Sequence, residues 1–188
     1  MGLDDSAVAL ANHLENHSSE FDRVHLVGHS LGGMIIQQAV YYGHLNDYSF
    51  VDKVEKEIIV GTPNLGSPAA ELYDKLRSFL VNSKKLAGVY FISPAVIEDV
   101  LKGRNIPRIA GIDYFVVAGT KSYSFSSGFF KEVNDGIVSV RSAQNIGGIV
   151  CNDMCSDYFE INATHTDLIS HPVARRVVEY IISLERAE

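Results

Sequence analysis

The sequence predicts an α/β fold, a three-layer sandwich in which helices cover both faces of a mostly parallel sheet. Two features carry that prediction. Short β-rich runs alternate with stretches whose apolar residues recur at helical spacing, the rhythm of strand-crossover-strand units. One later run, Tyr114-Phe115-Val116-Val117-Ala118, is apolar without alternation, as a strand buried on both faces must be. A length of 188 residues with 46% hydrophobic content suits one domain with a core of its own, so a single domain over 1–188 is expected.

The first element is a helix over 5–16, with Val8, Leu10, Ala11 and Leu14 on one side and the polar cluster His17-Ser18-Ser19-Glu20 behind it. A strand over 24–27 ends at Gly28, and helical spacing resumes over 31–42 and stops at Gly43. A second strand over 57–60 runs into the turn-rich Gly61-Thr62-Pro63-Asn64-Leu65-Gly66-Ser67-Pro68, after which 69–81 reads as helix. Within 82–107 the clearest element is a helix over 94–102, bounded by Gly103 and Pro107, and the stretch reads as an insertion over the sheet. A third strand over 113–118 ends at Gly119-Thr120 and is followed by a loop. The fourth strand spans 157–162. A closing helix over 172–184 carries Val173, Val177, Val178, Ile181 and Ile182 on one side.

Composition narrows the functional classes. Net charge is −7 and the Lys and Arg residues are scattered, which leaves no basic face for a phosphate backbone, so nucleic acid is not an expected partner. No apolar run is long enough to cross a bilayer; the one around Met34-Ile35-Ile36 is broken at once by Gln37-Gln38. The start, Met1-Gly2-Leu3-Asp4-Asp5, lacks the basic beginning and apolar centre of a secretory signal, but this counts only if Met1 is the true start, and the compartment stays open. Cys151 and Cys155 form a lone C-x-x-x-C pair. Without a second ligand pair, free thiols or a small loop disulfide are better readings than a metal site.

The chemistry begins at Gly28-His29-Ser30-Leu31-Gly32, a G-x-S-x-G sequence between a predicted strand and a predicted helix. A serine on such a turn presents its hydroxyl at the C-terminal edge of the sheet, flanking glycines let the backbones pass, and the Leu31 N–H at the helix start faces a developing oxyanion. Chance alone would produce the pentapeptide in on the order of one chain in fifteen of this length, so the motif needs partners. The bland alternative is a glycine-rich turn with an N-capping serine. A serine hydroxyl needs a base held by a carboxylate, in the chain order Ser, Asp or Glu, His. Asp135, in the turn Asn134-Asp135-Gly136, and His165, in the loop after the fourth strand, supply that order. Asp-Gly is also an ordinary turn dipeptide, and six other histidines compete with His165. Of those, His25 falls within a strand, His29 adjoins the serine, and His13, His17, His44 and His171 fall on helices or at their ends. Asp167 reads as a helix-start residue.

Gly28-His29-Ser30-Leu31-Gly32-Gly33, Gly61 to Pro68, Asn134-Asp135-Gly136-Ile137-Val138 and His165-Thr166-Asp167-Leu168 resemble, in order, four landmarks of α/β-hydrolase lipases and esterases. The nearest branch looks like the group that includes bacterial triacylglycerol lipases, lecithin:cholesterol acyltransferase-like enzymes and GPI inositol-deacylase-like proteins. The resemblance implies a carboxylic ester hydrolase acting on an ester or lipid through an acyl-serine intermediate. Ser30 would be the nucleophile, Asp135 the orienting acid, His165 the base and the Leu31 N–H an oxyanion donor, with no metal or organic cofactor. It also implies a lid or cap over 67–110, with Tyr90, Phe91, Phe125, Phe129 and Phe130 available to line an acyl pocket or simply to pack the insertion.

One departure from the pattern shapes the remaining expectations. Only 29 residues precede Ser30, no His-Gly pair marks a second oxyanion donor, and the early strands of the fold are missing from the sequence. An N-terminally truncated fold follows, with an unpaired edge on the strand over 24–27 that invites pairing with another chain or an oligomer. Two rival functions stay open. Acyltransferase, thioesterase or amidase activity could run on the same triad, and a hydrolase remnant could act as a binding module.

Overall fold

The computed structural model describes residues 2–67, 98, 100–124, 130–151 and 157–185. The helix expected over 69–81 and most of the expected cap lie outside these residues. Of the helix expected over 94–102, residues 98 and 100–102 are helical. The sheet is parallel throughout, in the order β1 (Val24–His29), β2 (Val54–Val60), β3 (Asp113–Gly119), β6 (Asp157–Ile161). The α1 helix (Leu3–Asn16) precedes β1, and α2 (Leu31–Leu45) leaves it after a single intervening residue. Where a loop was expected after β3, the chain instead forms the short helix α3 (Val140–Gln144) and a small antiparallel pair, β4 (Asn145–Ile146) and β5 (Ile149–Val150). The last helix is α4 (Pro172–Ser183).

Alternation along the strands sorts two cores. Leu26, Ile59, Tyr114, Val116 and Ala118 face α1, α2 and α3, where Ala7, Ala11, Val40, Phe50 and Ala143 complete an apolar cluster. Ile58, Val60, Phe115, Val117 and Ile161 face the other way, against Leu168, Ala174 and Ile181. Both faces of β2 and β3 are therefore closed, which is why Ile58-Ile59-Val60 and Tyr114 to Ala118 read as unbroken apolar runs. Helix α2 runs on through Gly43, whose bare Cα admits Phe50; a Cβ there would lie 2.6 Å from the phenyl ring.

Two charged residues are buried side by side on β2. Lys56 reaches the C-terminal end of α4 and donates to the carbonyls of Ile181 at 2.9 Å, Ile182 at 3.3 Å and Leu184, where the helix dipole favours a cation; the Ile181 carbonyl also accepts the Leu184 N–H at 3.2 Å. Its neighbour Glu57 points to the opposite face and is enclosed there, with no partner for Oε2. Burial pushes its carboxyl up to about 8.

Strand β1 pairs only with β2 among the described residues, and Val27, in mid-strand, is 46% exposed. The open edge expected from the sequence is present. No helix among the described residues is long and apolar enough to cross a membrane.

Candidate active site

The turn from β1 into α2 is built by close approach of backbones. A Cβ on Gly28 would lie 2.6 Å from the Cα of Gly33, and one on Gly33 would collide with the Thr62 side chain. Gly32, the second glycine of the pentapeptide, meets no described atom within 4 Å, so the steric demand falls on Gly28 and Gly33. Ser30 is held at φ 55 and ψ −125, a conformation L-residues rarely adopt, with its N–H donating to Val60 O at 2.8 Å. It precedes the first residue of α2, yet its side chain caps nothing. The N-capping alternative therefore does not apply.

The Ser30 hydroxyl lies 2.8 Å from Nε2 of His165, and Nδ1 of the same ring lies 2.8 Å from Oδ2 of Asp135. Asp135 is 1% and His165 5% exposed. The other carboxylate oxygen, Oδ1, accepts the N–H groups of Ile137 at 3.0 Å and Val138 at 2.7 Å, which fixes the acid's orientation. Gly119, at the end of β3, makes room for this pair; a Cβ there would lie 2.6 Å from the Cβ of Asp135. Leu31 opens α2, where its N–H has no intrahelical acceptor and lies next in sequence to the hydroxyl. The structure thus brings Ser30, Asp135, His165 and the Leu31 N–H together at the C-terminal edge of the sheet.

Its competitors are elsewhere or otherwise engaged. His171 caps α4, accepting the Val173 N–H at 3.3 Å. Asp167 begins a 3-10 turn, as a helix-start residue, and its Oδ2 accepts the Thr164 hydroxyl at 2.6 Å. His29 is in the site but in another role: its Nε2 lies 3.0 Å from the His165 carbonyl oxygen. Burial, and then the charge His165 carries when protonated, push His29 down to about 4.

Sequence reasoning missed the residues that brace these loops. Asn64 donates to Ala143 O at 3.1 Å and accepts from Gln37 of α2 at 3.0 Å, while Ser142 Oγ donates to Gly66 O at 2.7 Å and accepts the Leu65 N–H at 3.1 Å. The turn after β2 is thereby fastened to α2 and to α3. Tyr123 joins the acid and histidine loops, with its ring against Gly136 and its hydroxyl accepting the Thr166 N–H at 3.3 Å. An isolated polar residue in a loop carries no periodicity, so nothing in the sequence marked these roles. Of the aromatic residues considered for an acyl pocket, Phe130 is buried, and Tyr90, Phe91, Phe125 and Phe129 lie outside the described residues. Cys151 is buried and disulfide-bonded, one of the two readings left open. Among the described residues no group of three or more His, Cys, Asp or Glu is placed to hold a metal.

No family model and no curated protein matches the chain. Solved structures do. The mature form of Bacillus licheniformis lipase BlEst2 aligns at a TM-score of 0.68 and 22% identity, over 98% of this chain and 76% of that one. The product of the Listeria innocua gene lin2722 aligns at 0.61 and 18%, over 100% and 69%. Phospholipase PlaB from Legionella pneumophila, in complex with thio-NAD, aligns at 0.60 and 15%, over 99% and 48%. The parallel sheet, its flanking helices and these alignments define an α/β-hydrolase fold.

Proposed function

We propose that the chain is a serine hydrolase that cleaves carboxylic esters through an acyl-serine intermediate, with Ser30, His165 and Asp135 as its triad. The observation that carries the proposal is the unbroken hydrogen-bonded series from Ser30 Oγ through the His165 ring to Asp135, two bonds of 2.8 Å each. Ser30 Oγ passes its proton to His165 Nε2 as it attacks the ester carbonyl carbon. The carbonyl oxygen takes up negative charge next to the Leu31 N–H. His165 then returns the proton to the departing alkoxide, leaving the acyl group on Ser30. Water repeats the sequence in the second half, with His165 taking its proton and Ser30 leaving as the alcohol. Asp135 accepts the Nδ1–H throughout and stabilises the imidazolium.

The same steps serve a thioester, an amide or transfer to an acyl acceptor other than water, since pocket shape and not the triad selects among them. Esters are the first choice because BlEst2 and PlaB are named a lipase and a phospholipase. A binding role without catalysis is the second reading, favoured by the open edge of β1. Intact mass after treatment with a fluorophosphonate probe separates the two. A single adduct that is absent from Ser30→Ala is expected; a folded chain that takes up no probe would sink the hydrolase reading.

A further inference from the structure

We propose that His29 and Tyr123 are positioning residues that clamp the His165–Thr166 peptide from both sides and so hold the His165 ring between Ser30 and Asp135. The inference rests on the reading of His165 as the base. In a trans peptide the C=O and N–H point in opposite directions. Here both are gripped by side chains from other elements. The carbonyl oxygen of His165 lies 3.0 Å from Nε2 of His29, and the N–H of Thr166 donates to the Tyr123 hydroxyl at 3.3 Å. The same hydroxyl lies 2.8 Å from Thr166 Oγ1. Two contacts on opposite edges of one peptide plane resist its rotation, and with it the swing of the ring attached at the preceding Cα.

The origins of the two residues give the clamp its purpose. His29 adjoins Ser30 in the chain, and Tyr123 lies in the loop after β3 with its ring against Gly136, next to Asp135; a Cβ on Gly136 would strike that ring. The base is thus tied to the immediate neighbours of both its partners. A carbonyl oxygen only accepts, so His29 Nε2 carries the hydrogen. Burial keeps His29 neutral near pH 7, and it grips the carbonyl without adding a second positive charge beside His165 when that ring is protonated. The two rings are 4.8 Å apart and inclined at 44°.

Three variants test the clamp: His29→Leu removes the donor, His29→Gln keeps an N–H within reach, and Tyr123→Phe removes only the hydroxyl. The primary reading is the 15N imidazole spectrum of His165 near pH 7 in chains shown to be folded by circular dichroism. When neutral, the wild-type ring is expected in one tautomer with its proton on Nδ1. His29→Leu and Tyr123→Phe should show mixed tautomers, and fluorophosphonate labelling slowed by about 10- to 100-fold; His29→Gln should resemble the wild type. A single wild-type tautomer in both loss variants would overturn the clamp, as would a glutamine variant that behaves like the leucine one. A wild-type chain that does not label would overturn the hydrolase reading alone, because the spectrum judges the clamp without it.

Discussion

Asp135 holds His165 twice, with its main-chain carbonyl accepting the His165 N–H at 2.9 Å and its Oδ2 bonded to Nδ1 at 2.8 Å. The side chain has a further duty, since Oδ1 takes the Ile137 and Val138 N–H groups. The two roles separate by substitution. Asp135→Asn keeps an oxygen for those backbone groups but presents an amide N–H to Nδ1, forcing the other tautomer. Its expected loss is about 10⁴-fold in turnover with little change in stability. Asp135→Ala abandons both buried N–H groups as well and should cost a further 1–3 kcal/mol or so of folding free energy. Hydrolysis of a chromogenic ester, with urea unfolding of both variants, checks the pair. Equal stability of the two would contradict the assigned role of Oδ1.

The glycines of the Ser30 turn make a second, purely steric test. Gly28 and Gly33 are in backbone contact, whereas Gly32 opens on space. Gly33→Ala would drive a methyl group into Thr62, at a cost of roughly 1–3 kcal/mol if the backbone gives way partly. Gly32→Ala should cost no more than helix propensity dictates, and at an early helical position that change is near neutral or mildly stabilising. Melting temperatures of the two variants distinguish this ordering from its reverse.

Glu57 predicts an unusual pH dependence. It stands in register between Leu26 of β1 and Tyr114 of β3, enclosed and without a partner for Oε2. Its carboxyl is raised from 4.5 to about 8 by burial. The native state therefore keeps a proton that the unfolded chain releases near pH 4.5, and stability falls as pH rises from there until it levels above about 8. The total loss is of order 5 kcal/mol. Glu57→Gln should abolish that slope and be the more stable chain above neutrality. Denaturant unfolding between about pH 5 and 9 measures both, and a flat wild-type profile would rule out the buried acid.

Much of this was legible in the sequence because the physics is local. Strand ends were marked to within a residue by Gly28, Gly61 and Gly119, and the buried strand β3 by its unbroken apolar run Tyr114 to Ala118. The order Ser30, Asp135, His165 was read from turns at strand ends, which parallel topology carries to one edge. What escaped was either short or long-range. Five residues of α3 and two-residue strands in β4 and β5 are too brief for a periodic signal. Val54, Glu55 and Lys56 belong to β2 although two of them are charged, because Lys56 finds its acceptors at the end of α4, more than a hundred residues away. Tyr123 and Thr166 meet only through the fold.

The edge of β1 gives the last prediction. Interior strands bond on both sides, but β1 offers its outer backbone groups to no described residue, and Val27 stands 46% exposed where an interior strand would bury it. An unpaired parallel edge with an exposed β-branched residue is a template for further strand addition, and natural sheets blunt such edges with charge, lysine above all. The isolated chain should therefore associate as its concentration rises. Val27→Lys should reduce that association while retaining the circular dichroism spectrum of the folded chain, since the substituted side chain points off a face that is already half open. Light scattering coupled to gel filtration over a concentration series follows the effect. Equal association of wild type and variant would move the contact away from β1 to another surface, such as the exposed Tyr180 and Ile182 of α4.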